Sequence, residues 1–131
     1  MKAYLSSLYD TIFERDYNIS LSEKIAALGY EVFLPQKNKE NKSDLAAIKE
    51  ADVFILVYDG RELQESQGFE LGAAKAYQDC GGKKKIIIGI NASLAKRGND
   101  SFVRNSLNYM ADSEILLIDY LKTYLLRSQN I

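Results

Sequence analysis

The chain has 131 residues, with 17 Lys and Arg against 18 Asp and Glu, no His, a formal net charge of −1 and 47% hydrophobic residues. This length and composition predict one domain with a buried core, and the lack of a Lys/Arg-rich face argues against a nucleic-acid polymer as partner. The longest apolar runs, around Val53–Val57 and Ile86–Ile88, are strand-sized, and Met1–Ser7 lacks the apolar core of a signal peptide, so no membrane insertion and a cytoplasmic location are expected. Cys80 is the only cysteine, which excludes an internal disulfide and a thiolate metal cluster. Without His, the commonest metal ligand and general base is missing, so no metal or cofactor is expected. Acid–base or nucleophilic work falls to carboxylates, Tyr, Lys, Ser, Thr or Cys80.

Lys2–Ser6, with Ala3, Tyr4 and Leu5, reads as a buried first strand. Between Thr11 and Leu28, apolar residues recur at Phe13, Tyr17, Leu21, Ile25 and Leu28, one face of a helix that Gly29 ends. Glu31–Leu34 reads as a second strand stopped by Pro35, with a loop over Gln36–Lys42. Ser43 and Asp44 then cap a helix running to about Ala51. Val53–Val57 is continuously apolar, as in a central parallel strand covered on both faces. After a polar loop, Phe69–Asp79 is helical, Gly81-Gly82 end it, and Lys85–Ile90 forms a fourth strand. The tail reads as a loop over Asn91–Asp100, a short helix near Phe102–Ser106, a short strand near Leu107–Met110 and a last helix. That helix is capped by Asp112 or Ser113 and carries Ile115, Leu117, Ile118, Leu121 and Leu125.

Strands alternating with helices predict a single-domain α/β fold: a doubly wound, five-stranded parallel sheet of flavodoxin-like (Rossmann-like) order, with helices on both faces. A ligand then sits beyond the carboxyl ends of the strands, where strand order reverses. This singles out the loops Ser6–Asp10, Asp59–Gly68 and Asn91–Asp100. In the second of these, Glu70 is placed in the first helical turn, where the positive helix end favours an ionised carboxylate, and Gly68 would let backbone approach a ligand. Such a residue is either a cap or a nucleophile toward a glycosidic bond. Lys83-Lys84-Lys85 reads as a solvated entry to the fourth strand, and Cys80 as an inert helix-end residue. Asp59 lies at the ligand edge and Asp52 at the opposite end, as a turn residue.

The stretch SDLAAIKEADVFILVYDGRELQESQGFELGAAKAY, with KAYLSSLYD before it and NSLNYM after it, resembles the nucleoside 2-deoxyribosyltransferase family over most of the chain. The strongest part joins the Asp44-led helix, the apolar strand with Asp59-Gly60, and the Gly68-Phe69-Glu70-Leu71-Gly72 run. The resemblance implies that Glu70 attacks the anomeric carbon of a deoxynucleoside, forming a deoxyribosyl ester that a second base then takes up. It implies that Tyr4 positions the nucleophile through its hydroxyl, and that Asp44 helps protonate the leaving base. Tyr9 matches an aromatic that stacks on the nucleobase, and Asn105 an asparagine that reaches a neighbouring subunit's site to bind the sugar 5′-hydroxyl. The expected partners are thus deoxynucleosides and free nucleobases, with a homodimer or larger homo-oligomer sharing active sites.

The chain departs from the family pattern at Gln64, where an Asp contacting the sugar is usual, and at Ser66, where Gly is common. Gln exchanges hydrogen bonds with a hydroxyl but is neither a charged acceptor nor a base. The related nucleotide N-hydrolases surround a 5′-phosphate with Ser and Arg, and Ser6, Ser7, Ser66 and Arg61 are candidates for that contact. The alternatives are therefore a hydrolase of nucleosides or their 5′-monophosphates, and a nucleotide-binding module without catalysis. The carboxyl end, Ser128-Gln129-Asn130-Ile131, carries no aromatic of the kind some family members place at the neighbouring site.

Overall fold

Apolar, β-branched and aromatic runs supply the strands and periodic apolar faces the helices of a computed structural model that describes residues 1–38, 40–58, 63–81, 83–91 and 101–129. In chain order these are β1 (Lys2–Ser6), α1 (Ile12–Ala27), β2 (Glu31–Phe33), α2 (Pro35–Asn38), α3 (Asp44–Glu50) and β3 (Val53–Tyr58). There follow α4 (Glu65–Cys80), β4 (Ile86–Asn91), α5 (Ser101–Ser106), β5 (Tyr109–Ala111) and α6 (Glu114–Gln129). The five strands are all parallel and ordered β2-β1-β3-β4-β5, the expected flavodoxin-like order. Among the described residues, no helix is long and apolar enough to cross a membrane.

Period-two alternation divides the core between the two faces of the sheet. Ala3, Leu5, Val53 and Ile55 face α1 and α6, where Leu21, Ile25, Leu117 and Leu121 are buried against them. Tyr4, Phe54, Leu56 and Ile87 face the other way, onto Ile48 of α3 and Leu71 and Ala74 of α4. Truncating one of these fully buried aliphatic side chains to Ala costs about 2–5 kcal/mol. The chain leaves β1 toward β2 and β3 toward β4, so strand order reverses between β1 and β3. A cavity lined by Ser7, Val57 and Gln67 lies beyond their carboxyl ends.

Local chemistry explains most element ends. Thr11 and Glu14 form a reciprocal capping box on α1, and Gly29, at φ +113°, takes the left-handed turn that ends it. Ser43 caps α3 by accepting the Ala46 N–H at 3.2 Å, and Ser113 caps α6 by accepting that of Leu116 at 3.2 Å. Several expectations are corrected. Pro35 begins a short helical turn instead of only stopping β2, because a proline suits a first helical position. The helix carrying Glu70 begins at Glu65, not Phe69, so Glu70 lies in its second turn and Gly68 inside its first. Phe13 and Ile115 are exposed instead of packed, being 86% and 81% accessible at the first turns of their helices. Lys85 is buried, not solvated. Its ammonium donates to the Ala51 and Lys49 carbonyls at the end of α3, and burial pulls its pKa down to about 8 against the weaker attraction of Asp52.

Candidate active site

The site grows from one register position in the sheet. Tyr4 of β1 stands opposite Phe33 of β2 and Phe54 of β3, and its ring stacks between theirs at centroid separations of 5.4 and 5.5 Å. Three rings on adjacent strands fix the direction of the middle one. Its phenol reaches the inward face of α4, where Gln67, Glu70, Leu71 and Ala74 recur at helical spacing, and donates a hydrogen bond to Glu70 Oε2. Both residues are buried, Glu70 being only 8% accessible. Burial raises the Tyr4 pKa, and Glu70, Asp44 and Tyr9 raise it further. The phenol therefore stays protonated and serves as a fixed donor to the carboxylate.

Those last two influences also report convergence. Asp44 begins α3 and Tyr9 follows β1, yet both act on the Tyr4 hydroxyl, so the structure brings four sequence-selected residues, Tyr4, Tyr9, Asp44 and Glu70, to one end of the sheet. Arg15 Nη1 donates to the carbonyls of Tyr9 and Asp10, at 3.1 and 3.3 Å, and so holds the β1 loop. Ser6 shares Tyr4's face one step nearer the crevice. Among the described residues, the Oγ atoms of Ser6 and Ser7 and Oδ1 of Asp44 are buried without a hydrogen-bond partner. Buried polar atoms are nearly always paired, so three such atoms at one edge make it the candidate place for water or another molecule.

Gln64 precedes α4 as an exposed N-cap without a side-chain cap bond, and Ser66 is exposed in the first turn. A Cβ on Gly68 would meet open space. Asn105 is exposed on α5, and Asp59 lies outside the described residues. Sequence reading missed Gln67 and Asn18, which are buried polar residues on inward helical faces. Gln67 Nε2 donates to the Val57 carbonyl at 2.8 Å, while Asn18 Nδ2 donates to the Leu8 carbonyl at 2.8 Å and to Gln36 Oε1 at 2.9 Å. Their detectable mark was a polar residue interrupting an apolar stripe. Together with Ser7 and Phe13 they line a cavity of about 250 Å³ between α1 and the end of β3.

The fold and the paired carboxylate and phenol define a doubly wound α/β protein with a prepared crevice at its switch point. No family model matches the chain, and no curated protein matches it in sequence. Among solved structures it is similar to the 2-deoxyribosyltransferase of the psychrotolerant bacterium Bacillus psychrosaccharolyticus, with a TM-score of 0.77 and 18% identity over 92% of each chain. It is also similar to the CMP N-glycosidase BcmB of Clostridium botulinum, with a TM-score of 0.58 and 22% identity over 92% of this chain and 98% of that one. The chain has the fold of the 2-deoxyribosyltransferase.

Proposed function

We propose that this protein is an enzyme of the nucleoside 2-deoxyribosyltransferase family that cleaves the N-glycosidic bond of a deoxynucleoside and passes the 2-deoxyribosyl group to a second nucleobase. The observation that carries this reading is the buried Tyr4–Glu70 hydrogen bond at the β1/β3 switch point, beside Asp44. A carboxylate held by a fixed donor is aligned toward its target. The Glu70 carboxylate attacks C1′ and a C–O bond forms. The C1′–N bond breaks, its electron pair stays on the leaving base, and Asp44 helps deliver a proton to that nitrogen. The acceptor base then attacks C1′ through a ring nitrogen, gives up its ring proton and expels the Glu70 carboxylate. Tyr9 offers an aromatic face to the base, Ser6, Asp59, Gln64, Ser66 and Gly68 contact the sugar side, and Asn105 completes a partner's site in a homo-oligomer.

A second reading has water in place of the acceptor base, which yields free sugar and free base. Gln64 in place of Asp and the structural likeness to a CMP N-glycosidase favour it. Chromatography of a reaction holding 2′-deoxyadenosine as donor and a different free base as acceptor, beside Glu70→Ala, separates the two. Transfer predicts a new deoxynucleoside formed by the wild type and lost in the variant. Base release that is equal with and without acceptor establishes the hydrolase. Transfer undiminished in Glu70→Ala overturns both readings.

A further inference from the structure

The first turn of α4 has little in its own sequence to make it helical. Its N-cap, Gln64, makes no side-chain cap bond, Glu65 and Ser66 are exposed, and Gly68 disfavours helix relative to Ala. Gln67 is the residue of this turn that faces inward. It is 3% accessible, and its Nε2 donates to the Val57 carbonyl near the end of β3 at 2.8 Å. One turn further on, Glu70 accepts from the Tyr4 phenol of β1. Adjacent turns of α4 are thus tied to β1 and β3, the two strands that border the switch point.

Two bonds to two strands constrain the helix in a way that one does not. The Tyr4 phenol alone sets how far Glu70 lies from β1. The packing beneath α4 at Leu71 and Ala74 is aliphatic and non-directional, so it leaves the helix free to roll about its axis. A second directional bond one turn away removes that roll, and it also holds the turn that carries Gln64, Ser66 and Gly68. We propose that Gln67 is a positioning residue, which pins the first turn of α4 to β3 and thereby sets the direction in which the Glu70 carboxylate meets C1′. The assignment rests on the proposed reading of Glu70 as nucleophile. The far end of the same helix supplies a control. There Gln78 Nε2 donates to the Lys85 carbonyl at 2.9 Å and to Asn108 Oδ1 at 2.6 Å, tying α4 to the start of β4 at the end of the sheet away from the site.

The test measures kcat and KM for base release from 2′-deoxyadenosine, and urea midpoints, for wild type, Gln67→Met, Gln78→Met, Tyr4→Phe, Glu70→Ala and the Tyr4→Phe/Gln67→Met double variant. Gln67→Met keeps the length of the side chain and deletes its donor, so kcat is expected to fall about tenfold or more while KM moves less than about threefold. Gln78→Met shifts the urea midpoint at least as far and leaves kcat within about twofold of wild type. Because Tyr4 and Gln67 act on the same carboxylate, the double variant loses less than the product of the two single effects. Gln67→Glu, of equal size and still polar, is expected to show the same loss of kcat at neutral pH and serves in place of Gln67→Met if that variant does not fold. An unchanged kcat in the Gln67 variants, an equal loss in Gln78→Met, or a double variant that equals the product overturns the positioning role. If Glu70→Ala abolishes turnover while the Gln67 variants are silent, the nucleophile reading stands and the positioning role alone falls. Turnover undiminished in Glu70→Ala overturns both.

Discussion

The two ends of the sheet differ in how their polar groups are paired. At the amino ends of the strands the groups close on one another. The Lys2 N–H donates to Asp52 Oδ2 at 2.7 Å, the Asp52 N–H returns a bond to the Lys2 carbonyl at 2.8 Å, and the Asp52 carbonyl accepts from Ile86 at 3.0 Å. Lys83 lies 3.3 Å from Asp52, and Glu50 takes both Lys2 and Lys42. At the carboxyl ends, by contrast, Ser6, Ser7 and Asp44 keep buried atoms without partners. Polar satisfaction joins β1, β3 and β4 at one end, while the other keeps the unpaired polar atoms that the proposed site uses. Charge in the sequence does not distinguish the ends, but pairing does.

The largest effect that tests this contrast is expected at Glu70. Glu70→Ala lowers kcat for transfer by about 1000-fold or more, with a thermal midpoint close to that of the wild type, as read by initial rates and calorimetry. Tyr4→Phe is the next. It keeps the ring between Phe33 and Phe54 and deletes the donor to the carboxylate, so kcat falls about 10- to 100-fold while the fold persists. A Tyr4→Phe variant as active as wild type would show that the phenol fills space and does not orient the nucleophile. Asp52→Ala acts in the reverse sense. It removes the acceptor of the Lys2 N–H and the partner of Lys83, costs about 1–3 kcal/mol in denaturant unfolding, and leaves kcat unchanged.

The smallest effect is on pH. Tyr4 and Tyr30 have phenol pKa values raised chiefly by burial, Tyr30 while donating to the Leu121 carbonyl at 2.7 Å. The unfolded phenols ionise near their ordinary value of 10.0 while the folded ones resist, so this contribution is fully present below that pH and declines above it. Lys85 works oppositely. Its folded pKa of about 8 lies below the ordinary 10.5, so the unfolded chain binds more protons between those values and stability rises with pH there. Urea midpoints taken from pH 7 to 11 should climb slightly and then fall, and Lys85→Met should remove the climb and keep the fall.

The sheet was legible because its strands are plain in composition. Val53–Val57 reads as a central buried strand, and the Thr11, Ser43, Gly29 and Ser113 punctuation stands within two residues of the helix ends it marks. The start of α4 was not legible, since Gly68 and the polar run before it have the composition of a loop, and helix formation over Glu65–Gly68 depends on its place in the fold. Tyr4, Asp44 and Glu70 were legible through their motif spacing, but periodicity alone left each as a strand aromatic or a cap. The cavity was not legible, because it joins Ser7, Asn18 and Gln67 from three elements far apart in sequence. Lys85 escaped for the same reason, its partners being carbonyls at the end of another helix.

The central claim, that Glu70 carries the sugar, is tested most directly by mass spectrometry of the acid-quenched, proteolysed enzyme after mixing with 2′-deoxyadenosine. The account predicts one 2-deoxyribosyl group on the peptide containing Glu70, accumulating in the wild type, discharged by added base and absent in Glu70→Ala. Turnover without that adduct, or an adduct on another residue that survives the Glu70→Ala change, would contradict it.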